Sequence, residues 1–428
     1  MADKHTFKLI PTRRFPDFAN DDEWQIKRIG DFAEAIAGAT PSTTISEYWN
    51  GGTIPWMSSG EVHKGLIFST EKKITELGYT NSSTKKVPAN TVVIALAGQG
   101  KTRGTVGITK IELCTNQSLC SIIPNNNYDS DYLYHYLVSK YDMLRRISSG
   151  DGTRGGLNLQ MVKDLLIPLP SLSEQHHIAA SLSSLDEEIS TTNRKIEQLK
   201  LQKKGLMQAL FPPKNDKTPK LRFKEYKMNG EWKERKLGII GESYSGLNGK
   251  DKNDFGHGEA EYITYMNVFS NPITKQEMNL ATEVDNKQHS VKYGDILFTT
   301  SSETPEEVGM TSIWLENKKN VYLNSFCFGY RLNEKFKKDF NYIYLSYYFR
   351  SEFFREKIKV LAQGISRYNI SKNKVMELPL LYPSLHEQSK IADCLFTIDD
   401  TIQHYSNKIS FLKHHKKGLI QQLFPTIK

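Results

Sequence analysis

An α+β (mixed α/β) fold written twice is what the 428-residue sequence predicts, and three observations carry that expectation. Residues 170–212 align without a gap to residues 383–425, an offset of 213, with about half the positions identical. Each copy reads as one long helix. The stretch before each copy mixes β-branched runs, such as Thr91-Val92-Val93-Ile94 and Asp295-Ile296-Leu297-Phe298, with helical patterns such as Tyr132, Leu133, Tyr136, Leu137, Tyr141 and Leu144. The length calls for two to three domains. The repeat divides it into a globular half (1–170), a long helix (171–212), a linker (213–221), a second globular half (222–383) and a second long helix (384–428).

The halves repeat more faintly than the helices. Residues 14–30 (RFPDFANDDEWQIKRIG) match 222–238 (RFKEYKMNGEWKERKLG), with phenylalanine and tryptophan equally spaced. Further on, Ser118-Leu119-Cys120 is expected to answer Ser325-Phe326-Cys327, and residues 131–137 (DYLYHYL) to answer 341–347 (NYIYLSY). Ser171 with Glu174, and Ser384 with Glu387, have capping-box spacing, in which hydroxyl and carboxylate satisfy free backbone donors. Phe211-Pro212 and Phe424-Pro425 stop the helices, because proline removes a donor and collides with the preceding turn. About 40 residues at 1.5 Å rise give a rod of roughly 60 Å.

Along the first helix Ile178, Leu182, Leu185, Ile189, Ile196, Leu199, Leu206 and Leu210 alternate steps of four and three, with gaps at Thr192 and Lys203. The second repeats them as Ile391, Leu395, Ile398, Ile402, Ile409, Leu412, Leu419 and Leu423, with Tyr405 and Lys416 at the gaps. This is a coiled-coil seam; the alternative is two unrelated amphipathic helices, each packed on its own domain. The linker PPKNDKTPK reaches at most ~30 Å. The second half therefore starts near the tail of the first helix, which makes an antiparallel pair the short route. That arrangement puts the halves at opposite ends of a rod about a pseudo-two-fold axis.

Lysine plus arginine exceed acids by 57 to 48, a net charge of +9, which points to a polyanionic partner. Between Glu174 and Leu210 five acids balance five bases, and between Glu387 and Leu423 four acids face five bases. About eight of the nine surplus charges thus lie in the halves, where a phosphate backbone would be met. Candidate contact loops precede each helix. Residues 150–159 (GDGTRGGLNL) and 363–372 (QGISRYNISK) superpose Arg154 on Arg367, with Thr153 and Tyr368 beside them. A glycine-rich loop with one arginine suits a phosphate or a guanine; equally it suits a turn that starts a short helix capped by Asn158 or Ser371. Loops after the central strands offer Gln99, Lys101, Thr102 and Arg103 in one half, and Ser301 and Ser302 in an acidic, hydroxyl-rich stretch in the other.

Catalytic motifs are weak. Residues 95–102 (ALAGQGKT) meet a relaxed P-loop pattern, but the following RGTVGITKIEL favours a strand, whereas a phosphate-binding loop continues into a helix. Glu71-Lys72-Lys73 reads as a solvated face. No methyltransferase motif, HExxH or GxSxG occurs. Cys114, Cys120, Cys327 and Cys394 form no CxxC pair and are expected to be buried free thiols; no metal site is expected. With no run of ~20 apolar residues and no apolar leader, a cytoplasmic protein is expected.

Two halves, each followed by the P-S-L-x-E-Q…I-A…K-K-G-L-x-Q-x-L-F-P helix, resemble the specificity subunit of Type I restriction-modification enzymes. The resemblance rests on Pro170-Ser171-Leu172 with Glu174-Gln175, on Pro383-Ser384-Leu385 with Glu387-Gln388, on the Lys-Lys-Gly-Leu of each helix, and on Ile54-Pro55-Trp56, where the second half has Ile263-Thr264-Tyr265. It implies two target-recognition domains reading a bipartite, asymmetric double-stranded DNA site, with the helices as spacer and docking post. It also implies two modification (methyltransferase) subunits and further restriction (endonuclease/translocase) subunits as partners. S-adenosylmethionine, ATP and magnesium are expected on those partners, leaving this chain without cofactor or catalysis. Other readings are a coiled-coil scaffold with two peptide-binding modules, or a P-loop ATPase.

Overall fold

A computed structural model describes residues 9–98, 100–148 and 156–425. Two compact units emerge, Met1–Asn193 with Asn407–Lys428 and Arg194–Ser406, and the division cuts across both long helices. Each unit therefore holds one globular half, the start of the helix that follows it and the end of the other helix.

The globular halves share a sheet. In the first unit five strands run in the order Ala35–Ala37, Leu119–Ile122, Val92–Ala95, Val106–Thr109 and Leu66–Ile67, all neighbours antiparallel except the last pair. In the second unit the order is Gly241–Ser245, Cys327–Leu332, Ile296–Thr299 and Thr311–Ile313. The β-branched runs are continuous because both faces of the central strand are covered: Val92 and Ile94 enter one core while Val93 and Ala95 enter another. Ile296 and Phe298 likewise face one cluster and Leu297 a second. The chain after the P-loop-like residues forms the antiparallel strand Val106–Thr109, so no helix follows to hold a phosphate.

The long helices span Leu172–Leu210 and Leu385–Leu423, 39 residues each. All the seam residues are buried or half-buried, as are Thr192, Lys203, Tyr405 and Lys416 at the gaps. In the first unit Lys416 pairs with Asp186 at 2.5 Å and Lys408 with Glu188 at 2.7 Å. In the second, Lys203 pairs with Asp399 at 2.6 Å, and the Lys195 ammonium lies 5.9 Å from the Tyr405 ring centroid. Within each unit, later positions on one helix meet earlier ones on the other, so the pairing is antiparallel. The two seam lysines and their aspartates make the register specific, since a one-turn slip would leave half-buried charges unpaired.

The predicted capping boxes form only by half. Ser171 Oγ accepts from Glu174 N at 3.3 Å and Ser384 Oγ from Glu387 N at 3.4 Å, as expected. The carboxylates do not reach back to the backbone; they turn to arginines far away in sequence. Arg14 Nε and Nη2 donate to Glu174 Oε1 and Oε2 at 2.8 and 2.7 Å, and Arg222 repeats this on Glu387 at 2.6 and 2.8 Å. Both carboxylates are buried, and a bidentate guanidinium satisfies them better than one backbone N–H. The bond to Glu174 raises the pKa of Arg14.

Each helix ends in an aromatic plug. Phe211 lies 5.7 Å from Tyr344, 6.0 Å from Tyr348 and 6.4 Å from Trp232. Phe424 sits 5.5 and 5.4 Å from Tyr132 and Tyr136, in the core of the first half. The linker folds back rather than extending, with Leu221 N donating to Ala209 O at 2.8 Å; Arg13 N donates to Gln422 O at 3.0 Å in the corresponding place.

Several equivalences shift. Tyr132 answers Tyr344 rather than Tyr342, because the helix caps Asp129 and Asn341 correspond: each accepts from the N–H three residues on, and its own N–H donates to Gln175 or Gln388. Ser118 answers Phe326 rather than Ser325, since their carbonyls accept from Leu96 N and Thr300 N. Trp56 answers Tyr262, three places before Tyr265, because Met57 and Ile263 occupy the same place beside parallel strands. Cys114, Cys120 and Cys327 are buried, whereas Cys394, on the second helix, is only half-buried. Among the described residues no helix is long and apolar enough to cross a membrane.

Candidate nucleic-acid interface

In the second unit the proposed loops come together. Ser301–Ser302 pairs antiparallel with Tyr368–Asn369, Ser301 opposite Asn369 and Ser302 opposite Tyr368. Ile370 N donates to Thr300 O at 3.0 Å and locks the ribbon to the end of the central strand. Leu157 N donates to Leu96 O in the same way, so the 213-residue offset that superposes Arg154 on Arg367 holds at this contact. A tight turn presents Arg367: Gly364 has φ +134°, and a Cβ there would sit 2.1 Å from Arg367 O, so only glycine fits. Arg367 itself is exposed.

The ribbon borders a cavity of about 260 Å³ that Arg367, Ser301, Ser302 and Glu303 share with aromatic residues absent from the sequence-based set. Tyr265 and Phe269 stack at 5.8 Å with 19° between planes, and Tyr265 Oη donates to Ser301 O at 2.7 Å. Burial raises the pKa of Tyr265, so it stays a neutral donor. Met266 and Phe326 are about half exposed, at 53% and 55%. Glu307 accepts from Thr304 Oγ1 at 3.0 Å and Ser302 Oγ at 3.4 Å. Glu306 is drawn away by Lys359 at 2.7 Å, which lowers its pKa. Arg355 clamps the same loop through the carbonyls of Glu306, Val308 and Gly309, and burial pushes its pKa down to about 10.

In the first unit the basic loop is pinned at its base. Lys101 O accepts from Tyr141 Oη at 3.0 Å and Thr105 Oγ1 at 2.7 Å, and Gly100 O accepts from Arg145 at 2.7 Å. Lys101 is exposed, while Thr102 and Arg103 are half-buried. Gln99, Thr153 and Arg154 lie outside the described residues. Of the two helix-start candidates, Asn158 accepts from Met161 N, whereas Ser371 makes no side-chain cap.

The aromatic members of the site escaped sequence reasoning. Sequence alignment sets Tyr265 on Trp56, three places from its structural counterpart Ser59, and makes Phe326 part of the strand that follows. The available signal was a large apolar residue beside a turn-forming asparagine, for Asn324 Oδ1 accepts from Phe326 N at 2.9 Å.

Comparison with known proteins agrees with this architecture. Residues 21–201 and 229–414 match the profile of the family described as Type I restriction modification DNA specificity domain. The MjaIX specificity subunit of Methanocaldococcus jannaschii is 32% identical over 235 residues, 53% of each chain. The EcoR124I/EcoR124II specificity subunit of Escherichia coli is 31% identical over 166 residues, 38% of this chain and 41% of that one. The chain thus spans about half the length of these two relatives. The MjaVIII specificity subunit of M. jannaschii aligns at 25% identity over 98% of this chain and 95% of its own. In fold, the S subunit of a Type-I restriction-modification system from M. genitalium superposes with a TM-score of 0.58 at 16% identity, covering 98% of this chain and all of that one. With both halves matched, each into its long helix, the chain belongs to the Type I restriction modification DNA specificity domain family.

Proposed function

We propose that this chain is the DNA-reading specificity subunit of a Type I restriction-modification complex. Its halves act as target-recognition domains, each reading one part of a bipartite, asymmetric duplex site. The observation that carries this is the doubled DNA specificity domain, residues 21–201 and 229–414, each copy entering one of two paired helices. Base-edge hydrogen bonds from the loops supply discrimination, and surplus lysines and arginines supply salt-dependent affinity. The loop residues assigned to DNA are Lys101, Thr102, Arg103, Ser301, Ser302, Arg367 and Tyr368, together with Gln99, Thr153 and Arg154.

The paired helices serve as spacer and as docking post for two modification subunits, to which restriction subunits are added. S-adenosylmethionine, ATP and magnesium act on those partners; this chain contributes binding and placement and no catalytic group. The complex works in the cytoplasm, where the chromosome is. Genome-wide mapping of methylated adenines with and without the gene tests the reading. Loss of one bipartite motif on deletion is expected, and an unchanged methylation pattern in cells carrying the modification subunit would overturn it.

A further inference from the structure

Strand register makes the two halves comparable position by position. Asn116 N donates to Met57 O as Asn324 N donates to Ile263 O, and Leu96 N donates to Ser118 O as Thr300 N does to Phe326 O. The residues after those strands then correspond, with Ser58 and Thr264 both preceding a short helix. Tyr265 and Met266 stand where the first half has Ser59 and Gly60, and Phe326 stands where it has Ser118. The frame therefore folds without large side chains at these places, and the apolar cup is an addition made in the second half alone.

Leaving such groups in water is costly. Burying a Met or Phe side chain is favourable in proportion to the apolar area removed from water, yet Met266 and Phe326 each keep about half their surface exposed beside the cavity. The rim is polar and charged in a way that suits base edges: Arg367 can pair with guanine O6 and N7, and Glu303 can accept from cytosine N4. Among groups that bases show in the major groove, the thymine 5-methyl is the bulky apolar one that projects from the base edge.

Resting on the reading of this chain as a DNA specificity subunit, we propose that Tyr265, Met266 and Phe326 form a cup that takes the 5-methyl group of a thymine in the half-site read by the second globular half. The aromatic pair Tyr265–Phe269 makes its floor, fixed by the Tyr265 bond to the Ser301 carbonyl. Half one, with serine and glycine there, has no such preference.

The test uses the complex of this chain with its modification subunit, on the duplex identified by methylation mapping. Each thymine of the second half-site is replaced singly by uracil, which removes only the methyl. At one position the wild-type complex binds about four-fold more weakly, the factor for one methyl-sized group at ~0.8 kcal/mol. Phe326→Ser and Met266→Ala, both at partly exposed sites, bind the thymine and uracil duplexes equally. A wild-type complex that is sequence-specific yet indifferent to every replacement, a half-site without thymine, or variants that keep full discrimination would each overturn the cup while leaving the broader function standing. Loss of modification-subunit binding in the variants, seen by gel filtration, would make the patch a protein contact and also overturn it. Absence of any sequence-specific binding by the wild-type complex would overturn the function and the cup together.

Discussion

Replacing Arg14 by methionine isolates the energy of the bidentate pair that joins the first globular half to its helix. The side chains of Arg14 and Glu174 are only 8% and 1% exposed, so Arg14→Met strands a carboxylate away from water. Arg14 also donates to the carbonyls of Asp21 and Asp22 at 2.8 and 3.1 Å, but these bonds are exposed and add little. The expected loss is about 3–5 kcal/mol, as for other buried pairs broken on one side. Arg14→Met combined with Glu174→Met removes both charges and should return to within about 1 kcal/mol of wild type. Urea denaturation followed by circular dichroism measures all of these, and Arg222→Met with Glu387→Met repeats the cycle in the second unit. A single variant losing under 1 kcal/mol, or a double variant no better than the single, would refute the argument.

Three further outcomes are expected. His135 is buried against Ser183 and its pKa is pushed down to about 3 by burial, so below about pH 6.5 the unfolded chain gains a proton that the folded one does not; stability should fall by up to about 1.4 kcal/mol per pH unit, and His135→Gln should flatten that slope in denaturation curves. Phe424→Ala should cost ~3–5 kcal/mol through its lost contacts with Tyr132 and Tyr136, read as a lower urea midpoint. Gly364→Ala should distort the Arg367 turn and weaken specific DNA binding by the assembled complex about as much as Arg367→Ala, ~1–3 kcal/mol, with thermal stability of Arg367→Ala unchanged; unaltered affinity in both would remove Arg367 from the interface.

The long helices were legible because their pattern is local and duplicated, so every seam residue could be named from spacing alone. The meeting of Ser301, Ser302, Arg367 and Tyr368 was half-legible: the loops were found by position, but their pairing as a ribbon depends on a strand register that no local pattern encodes. Arg14–Glu174 was hidden by the 160 positions that separate its partners, and the capping-box spacing gave the same carboxylate a nearer and wrong destination. The cup was missed because the halves differ by small insertions. An alignment carried by sequence alone placed Tyr265 on Trp56, and the large-for-small exchange with Ser59 became visible only through hydrogen bonds.

The plug at Phe424 has a consequence for synthesis on the ribosome. Phe211 seats beside Trp232, 21 positions away, and its core is assembled largely from neighbours made in succession. Phe424 seats beside Tyr132, 292 positions earlier, so the domain translated first must wait with an open hydrophobic socket until almost the whole chain has emerged. Closing so long a loop carries an entropic delay, and truncated products should expose that socket to chaperones while their second domain is already shut.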